Sequence, residues 1–330
     1  MHAIATSLGR KDQRTKQQRK RDKRKDEKIA KLPSETGADD ADPSLTMGKM
    51  YSNQPEQEGL RILGGSDSGF IHWLNKEEQI MAFCLVPFDE VRPAHNRNTA
   101  NEVVALLETK QKVEPNCKRG TAKVGVSSCN AKFVVAGIKP QQGKGYRFSK
   151  TFLPGVKAGL GIEEWCRRSE STASRYIPSR WLRAIKCGSE LSKFGKIQGC
   201  GFVAAIASSV DYQAPSHIDE DFFLSIHQLN VMNRFGDKEV AQYFCFPSLG
   251  VCVELRPGDV LLFNPHVQHC LSQKTKAYQG DRVHVSTMYI KTKHVSGNDV
   301  DAELTQEELT AMEQLDAPEV VNCQLGLLPK

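Results

Sequence analysis

The sequence predicts a mainly β protein of the α+β class, with a jelly-roll or related barrel as its core, flanking helices and a disordered, basic N-terminal tail. From Gly201 onward, short apolar runs alternate with turns rich in Gly, Pro, Asn and Asp, which is typical of two-sheet barrels. Upstream, residues 101–111 and 162–185 repeat apolar side chains at helical spacing. Residues 1–31 hold so few apolar side chains that their burial cannot offset the entropy lost on ordering.

The strands are predicted from runs of apolar and β-branched residues that end at turn-forming residues. Such runs follow Gly201 at residues 202–207, 222–229, 242–246, 251–255, 260–263, 270–272 and 283–291. Two upstream runs, 82–86 and 132–136, predict further strands. The helix over 162–185 should break at Pro178, which has no backbone N–H to donate, and Ser179 can cap the restart.

Length and composition exclude several classes of protein. The chain has 330 residues and a mass of 36.7 kDa, with 39% hydrophobic residues and a mean hydropathy of -0.46, which excludes a fibre or a wholly disordered chain. Because no window is apolar enough for a membrane span or a signal peptide, we expect an intracellular protein without a membrane partner. The ten cysteines form no C-x-x-C pair, so we expect reduced, buried thiols rather than a zinc ribbon or a disulfide framework.

Positive charge is concentrated in two segments. Residues 1–31 contain twelve Lys or Arg and four acidic residues, and residues 110–196 contain nineteen Lys or Arg and five acidic residues. The net charge of +6 for the whole chain therefore combines local charges of +8 and +14 with -16 elsewhere. The first segment predicts a nuclear import signal or a nucleic-acid arm, with a solubilising tail as the alternative.

The second basic segment mixes arginines with aromatic residues. Arginines at 167, 168, 175, 180 and 183 lie close in sequence to Trp165, Tyr176 and Trp181. Such a mixture suits a surface that binds single-stranded nucleic acid or a flipped base. A solvated helical face whose aromatic residues point into the core also explains the pattern, and both interpretations stay open.

The predicted organisation has three parts. Residues 1–60 form a basic tail and a linker, because Pro, Gly, Ser and Asp follow the basic run. Residues 61–296 form the domain that carries the chemistry, in which 61–200 flank the substrate side and 201–296 form the barrel. Residues 297–330 form an acidic C-terminal helix and tail, with a Thr-x-x-Glu capping box at the start of the helix.

The candidate metal ligands are His217, Asp219 and His269. His217 and Asp219 are two residues apart, so they project from one face if the chain is extended there, and a later strand can bring His269 against them. Two imidazoles and one carboxylate leave three positions open on an octahedral iron, as in non-haem Fe(II) oxygenases. An isolated H-x-D is a weak signal, and the turn, strand and turn that lead from Arg256 to His269 strengthen it.

The order of these motifs resembles the double-stranded β-helix of the 2-oxoglutarate- and Fe(II)-dependent dioxygenases. The resemblance rests on the H-x-D, the run GDVLLF at 258–263, the histidine ten residues after Asp259 and an arginine at the head of a strand, and it covers residues 201–292. It implies His217, Asp219 and His269 as the catalytic iron ligands. The fifty residues from Asp219 to His269, together with the basic flanking region, are similar to the TET and J-binding-protein branch, which oxidises methyl groups on bases in nucleic acid.

The resemblance also implies Fe(II), 2-oxoglutarate and O2 as cofactors, with ascorbate as an optional addition. Arg282 and Ser286 are the expected contacts of the far carboxylate of 2-oxoglutarate, since a guanidinium can donate two parallel hydrogen bonds to it. Lys291 is the fallback for Arg282. Tyr212 and Asn264 are further candidates for hydrogen bonds to the cosubstrate.

Two other histidines leave alternatives open. His266 lies three residues before His269, in the turn that follows Asn264, and we prefer His269 because a predicted strand follows it directly. His227 lies in a predicted strand and is interpreted as a surface or core residue, with a position lining the site as the alternative.

The function implied by the resemblance is hydroxylation of a C–H bond, with a methyl group on a nucleic-acid base as the finer prediction. DNA or RNA would contact residues 1–31 and 110–196, and the protein would be nuclear. The alternatives are hydroxylation of a protein side chain, a catalytically silent barrel that binds nucleic acid, and a metal protein that uses the same ligands without 2-oxoglutarate.

Overall fold

The computed structural model describes most of the barrel and the helices packed on it. The residues described are 15–32, 34–36, 46–64, 70–87, 101–105, 133–141, 145–148, 157–191, 197, 199–219, 221–222 and 224–290. The predicted helix after residue 304, the fallback Lys291 and most of the predicted helix over 101–111 lie outside these ranges; residues 101–105 are helical. Within the described part of the chain, no helix is long and apolar enough to cross a membrane.

Nine strands form the larger sheet, in the order β1-β3-β4-β12-β9-β14-β7-β5-β6. All neighbours in it are antiparallel except β1 and β3. In chain order the strands are β1 (Ser34–Thr36), β3 (Phe70–Asn75), β4 (Ile80–Val86), β5 (Phe133–Gln141), β6 (Gly145–Phe148), β7 (Ala205–Val210), β9 (Ser225–Val231), β12 (Val260–Phe263) and β14 (Val283–Tyr289).

Five strands form the smaller sheet, in the order β2-β11-β10-β13-β8. They are β2 (Arg61–Leu63), β8 (Ala214–His217), β10 (Gln242–Phe246), β11 (Val251–Leu255) and β13 (His269–Leu271). Short 3-10 helices occur at Pro55–Glu58, Pro247–Leu249 and Lys276–Tyr278. The predicted strands at 242–246 and 251–255 match β10 and β11 residue for residue.

The space between the two sheets is filled by one apolar cluster. Leu229 and Phe263 contribute from the larger sheet, and Phe244 and Val253 contribute from the smaller one. Alternate residues of each strand belong to this inner face, as the period of two in a strand requires. The two sheets therefore form a closed sandwich around an apolar interior, which confirms the predicted barrel.

Two helices cover the outer face of the larger sheet. They are α2 (Lys157–Ala173) and α3 (Ser179–Leu191), and their buried residues join the outward residues of β4, β9, β12 and β14 in a second apolar cluster. The predicted break at Pro178 is confirmed, since neither helix includes residues 174–178. Trp165 is fully buried in this cluster, which favours the interpretation that it is a core residue rather than a base-stacking surface.

The buried carboxylate of Glu170 joins α2 to the start of the barrel. Its oxygens accept hydrogen bonds from the backbone N–H groups of Gly201, Phe202 and Val203, at 2.6, 2.9 and 3.0 Å. These N–H groups are thereby withdrawn from sheet pairing. This explains why β7 begins at Ala205 and not at the predicted residue 202.

The basic N-terminal segment is ordered from Thr15 to Leu32, which corrects the predicted disorder for these residues. Helix α1 (Lys16–Ile29) begins with a capping box, in which the Thr15 hydroxyl accepts from the backbone of Gln18 and the Gln18 side chain accepts from that of Thr15. Its inner face packs on α3, and Ile29 is buried in the same apolar cluster as α2 and α3. Tertiary contacts therefore supply the stability that composition does not.

Polar contacts fix α1 at the break between α2 and α3. The Asp26 carboxylate accepts from the backbone N–H of Ser179, at the N-terminal end of α3, at 2.8 Å. The Lys25 ammonium donates to the carbonyl of Ser174, just beyond the C-terminal end of α2, at 3.3 Å. Each charge faces the helix end of opposite partial charge, which is the favourable arrangement. Asp22 adds an ion pair with Arg183 at 3.3 Å.

Residues 46–64 pack on the smaller sheet, although 46–60 were predicted as part of a linker. Tyr51 and Leu60 are buried against Cys245, Cys252 and Cys270 on the outer face of that sheet. Strand β2 extends the sheet by pairing in parallel with β11. Six cysteines, at 84, 166, 200, 245, 252 and 270, are free and buried, as expected for reduced thiols.

We expect Glu170→Ala to lower the free energy of unfolding by about 2–4 kcal/mol, because it leaves three backbone N–H groups, two of them buried, without their acceptor. The matched control is Glu164→Ala on the same helix, which removes partly exposed ion pairs to Arg167 and Arg168 and should cost less than about 1 kcal/mol. Chemical denaturation of both variants measures the difference. Equal losses would contradict the role assigned to Glu170.

Candidate metal centre

Two neighbouring strands of the smaller sheet bring the three predicted metal ligands together. β8 and β13 are antiparallel, and His217 lies directly opposite His269 in their register. Asp219 follows two residues after the end of β8, and its backbone N–H donates to the carbonyl of Pro265 at 2.9 Å. This bond ties the loop after β8 to the turn that precedes β13.

The ligand atoms of the trio converge on one point. Asp219 Oδ2 lies 3.7 Å from His217 Nε2 and 3.7 Å from His269 Nε2. One ligand atom from each residue lies within 4.8 Å of the others, and the imidazole centroids are 4.5 Å apart. These separations suit three ligands on one face of a single divalent cation.

Backbone carbonyls orient both imidazoles. His217 Nδ1 lies 2.6 Å from the carbonyl oxygen of Pro215, and His269 Nδ1 lies 2.8 Å from that of Val267. A carbonyl only accepts, so each Nδ1 carries the hydrogen and each Nε2 keeps its lone pair. This arrangement fixes the tautomer and the ring plane that metal-binding histidines need.

The surroundings of the trio are apolar on the barrel side and open on the other. The His269 ring stacks on Phe244 at 5.5 Å and contacts Phe263 at 4.8 Å. Burial lowers the pKa of His269, although the nearby Asp219 carboxylate acts in the opposite direction. The neutral imidazole, which is the form that binds a metal, is therefore favoured. His217 and Asp219 are partly exposed, so the metal position can be reached from outside.

The turn before β13 selects His269 over His266. The Asn264 side-chain oxygen accepts from the backbone N–H of His266 at 3.0 Å, and the backbone N–H of Asn264 donates to the carbonyl of Ala82 at 2.7 Å. The His266 side chain is exposed and does not belong to the trio. Asn264, expected as a cosubstrate contact, thus shapes the turn with its side-chain oxygen.

Arg282 and Ser286, the expected contacts of the far carboxylate of 2-oxoglutarate, do not belong to the apolar interior between the sheets. Arg282 is exposed and precedes β14. Within β14, Val283 and Val285 belong to the barrel interior, so Ser286 lies on the opposite face, where its hydroxyl donates to that of Ser208 at 3.0 Å. Among the described residues of β14, β9 and β12, those on the inner face include no Lys or Arg.

Tyr212, the fourth expected cosubstrate contact, packs into the apolar cluster between the sheets. Its carbonyl accepts from the side-chain amide of Gln242 at 2.7 Å. The structure assigns it a packing role at the connection between β7 and β8.

His227 is a polar group of the interior that sequence reasoning placed only as an alternative. It lies on the inner face of β9, opposite Leu261 of β12 and Thr287 of β14. Its Nδ1 lies 3.0 Å from the Thr287 hydroxyl, whereas its buried Nε2 has no hydrogen-bond partner among the described residues. Burial is the main cause that lowers the pKa of His227 to about 3, and the charge of His269 is the second. The sequence did contain a signal for this position, because residues 227, 229 and 231 alternate along one strand and therefore share its inner face with Leu229 and Val231.

The donor set fits Fe(II). Two oriented imidazoles and one carboxylate form the facial arrangement of non-haem iron sites, and no thiolate belongs to the group. The interior also fits a polar group of a cosubstrate, because the buried Nε2 of His227 would otherwise stay without a hydrogen-bond partner.

No protein-family model and no curated protein matches the sequence. Among solved structures, the chain resembles "NgTET1 in complex with 5mC DNA", at 11% identity and a TM-score of 0.53, over 91% of this chain and 99% of that one. A prolyl hydroxylase from Trichoplax adhaerens, in complex with a hypoxia inducible factor peptide, shares 11% identity at a TM-score of 0.39, over 87% of this chain and 99% of that one. The viral collagen prolyl hydroxylase of Paramecium Bursaria Chlorella virus-1 shares 8% identity at a TM-score of 0.35, over 63% and 95%.

At these identities the likeness establishes the fold and not the activity. The likeness to NgTET1 extends over nearly the whole of both chains. The chain therefore has the double-stranded β-helix fold that its motifs predicted, as NgTET1 does.

Proposed function

We propose that this protein is an Fe(II)- and 2-oxoglutarate-dependent dioxygenase that hydroxylates a C–H bond, with a methyl group on a base in DNA as its substrate. The observation that carries the proposal is the convergence of His217, Asp219 and His269, with both Nε2 atoms turned toward the Asp219 carboxylate. A barrel that only binds nucleic acid has no physical need for three aligned metal ligands.

The protein's own contribution is to hold and orient the reactants. His217, Asp219 and His269 hold the iron, and Phe244 and Phe263 exclude water from the barrel side of His269. When bound, Fe(II) with 2-oxoglutarate and O2 supplies the oxidising power, and 2-oxoglutarate leaves as succinate and CO2. The carbonyls of Pro215 and Val267 keep a hydrogen on Nδ1 of each histidine, so that neither ring turns away from the metal.

Within this proposal, His227 and Thr287 replace the expected arginine as the contact of the cosubstrate. If the Thr287 hydroxyl donates to Nδ1, then Nε2 carries the hydrogen and can donate to a carboxylate oxygen. The position of His227 between β12 and β14 supports this role, since it lies inside the barrel and close enough to His269 to lower its own pKa. The contact would be a neutral hydrogen bond, weaker than a bidentate guanidinium pair.

Charge on α1 supports a nucleic-acid substrate. The two aspartates of the helix face α3, where they bond to Ser179 and Arg183. The exposed residues of the helix include seven cationic residues and one acidic residue, namely Lys16, Arg19, Lys20, Arg21, Lys23, Arg24 and Lys28 with Glu27. Such a surface suits a phosphate backbone. NgTET1 was solved with DNA containing 5mC, which supports the same substrate class. The proposal includes a nuclear location, where that substrate is found.

We expect His269→Ala to abolish tight Fe(II) binding and to lower succinate formation from 2-oxoglutarate by more than about 100-fold. Loss of a group that only hydrogen-bonds to a metal ligand lowers metal affinity or activity by about 10–100-fold, and loss of the ligand itself should have a larger effect. Iron content after desalting and succinate yield are the two measurements. The matched control is His266→Ala, three residues away and exposed, which should keep both. Loss of iron in the control but not in His269→Ala would contradict the assigned ligand. A folded, iron-loaded wild type that forms no succinate with or without methylated DNA would refute the proposed function.

The cosubstrate contact predicts a separate effect. His227→Phe should leave Fe(II) binding intact and weaken 2-oxoglutarate binding by about tenfold, as expected for one buried hydrogen bond. Titration of the Fe(II)-loaded protein, followed by the absorption band that appears when 2-oxoglutarate chelates the iron, measures this Kd. Ser286→Ala and Arg282→Ala should not change the Kd. If Arg282→Ala weakens binding and His227→Phe does not, the arginine is the anchor.

The charge on α1 predicts how DNA binding depends on salt. Lys20→Gln combined with Arg24→Gln removes two exposed cations from one face of the helix, so the slope of log Kd against log salt should fall by up to about 1.8 if each contacts a phosphate. The control is Arg167→Gln, because Glu164 already neutralises that arginine. Fluorescence anisotropy over a range of salt concentrations measures both slopes. An unchanged slope in the double variant would exclude the outer face of α1 from the DNA contact.

A further inference from the structure

Exposed apolar side chains are concentrated beside the metal trio. Four large hydrophobic residues are exposed among those that the structure describes. Three of them are Met47, Met50 and Ile218, with exposed fractions of 38%, 37% and 49%, and the fourth is Leu74 at 37%. Single exposed hydrophobic residues need no explanation, whereas a group of them at one place marks a contact surface.

The backbone places this group next to the first metal ligand. Gly48 donates to the carbonyl of Ser216 at 2.8 Å, and Ser216 donates to that of Lys49 at 2.9 Å. Three residues further along, the carbonyl of Tyr51 accepts from the side chain of Gln213 at 2.8 Å. Residues 48–51 therefore lie along the free edge of β8, and the chain turns at residues 46–49, where the backbone N–H of Lys49 donates to the carbonyl of Thr46 at 3.1 Å. Met47 directly precedes Gly48, which is bonded to the residue before His217, and Ile218 follows His217 directly.

A second contact ties the same segment to the other histidine strand. The Thr46 hydroxyl donates to the side-chain oxygen of Gln268 at 2.9 Å, and Gln268 immediately precedes His269. Residues 46–50 are thus bonded to the residue that precedes each histidine of the trio, namely Ser216 before His217 and Gln268 before His269. We call Met47, Met50 and Ile218 the apolar lip.

Lys49, the charged residue within residues 46–50, is already paired, so the side chains that this segment leaves exposed at the lip are apolar. The Lys49 ammonium lies 3.5 Å from Glu58 and 4.4 Å from the centre of the Tyr51 ring. Two thioethers and a branched aliphatic chain remain, which are polarisable groups that pack well on a flat ring. The cations of α1 lie elsewhere, on the helix layer over the larger sheet.

We propose that the apolar lip contacts the face of the nucleic-acid base whose carbon is oxidised, and so positions that base against the iron. The inference rests on the proposed function and adds the residues that select for a base. It follows from the continuity of the lip with His217, from its apolar chemistry and from the separate cationic face that can hold a phosphate backbone. A base that leaves its stack needs a new apolar partner for its ring, and the lip offers one.

The test compares binding of two labelled single-stranded oligonucleotides, one with 5-methylcytosine and one with an abasic site at the same position. Wild type should prefer the first strand, and Ile218→Ala and Met47→Ala should each weaken binding to it by about tenfold. Binding of the abasic strand should stay unchanged in both variants. The matched control is Leu74→Ala on β3, equally exposed and remote from β8, which should alter neither Kd.

Succinate formation without DNA separates failure of this inference from failure of the proposed function. Wild type that binds iron but forms no succinate refutes the enzyme, and the Kd comparison still decides the lip. Equal Kd values for Ile218→Ala and Leu74→Ala would overturn the lip. So would loss of affinity for a proline-containing peptide with oligonucleotide binding intact, which would assign the lip to a protein substrate.

Discussion

The register between β8 and β13 is the constraint on which the rest of the site depends. His217 and His269 share a face only because they lie directly opposite one another, and a slip of one residue would turn one imidazole out of the site. The irregularity between His269 and Leu271 shows that the pairing changes immediately after this point. The bond from Asp219 to Pro265 and the Asn264 turn hold the two chain segments that enter and leave the pair. Local backbone bonds thus set the positions of all three ligand atoms.

The barrel wall behind the ligands also determines how they bind. Aromatic rings from both sheets surround His269 and remove water from it, so the neutral imidazole is favoured. The same dry interior surrounds His227, and it makes an unsatisfied nitrogen there costly. One physical cause, desolvation, therefore favours the metal-binding form of His269 and leaves Nε2 of His227 in need of a hydrogen-bond partner. The segment 46–50 closes the opposite side with apolar groups that remain in contact with solvent.

Turn residues and alternation were enough to predict β10, β11 and β12, and the common face of His217 and Asp219. They were not enough to place Arg282. Residues 283–286 of β14 are buried on both faces of the sheet, because helices cover one face and the barrel core fills the other. This strand therefore has no solvent-facing side that would mark the outside. Alternation then gives two faces without saying which is inside. Helix α1 was missed for a different reason, since its inner face carries Asp22, Lys25 and Asp26, and hydrophobic periodicity cannot detect docking through charged side chains.

Charged side chains dock α1 on α3, so salt acts on the helix itself as well as on any DNA that it contacts. The pair between Asp22 and Arg183 is partly exposed, so dissolved ions screen it together with any contact between the outer face and DNA. Raising the ionic strength therefore weakens the packing of α1 on α3 at the same time as any contact between α1 and DNA. The number of released ions, obtained from the slope of log Kd against log salt, then also contains ions that exchange when α1 detaches from α3. A count of phosphate contacts taken from that number is an upper bound, and a disulfide that fastens α1 to α3 would separate the two contributions.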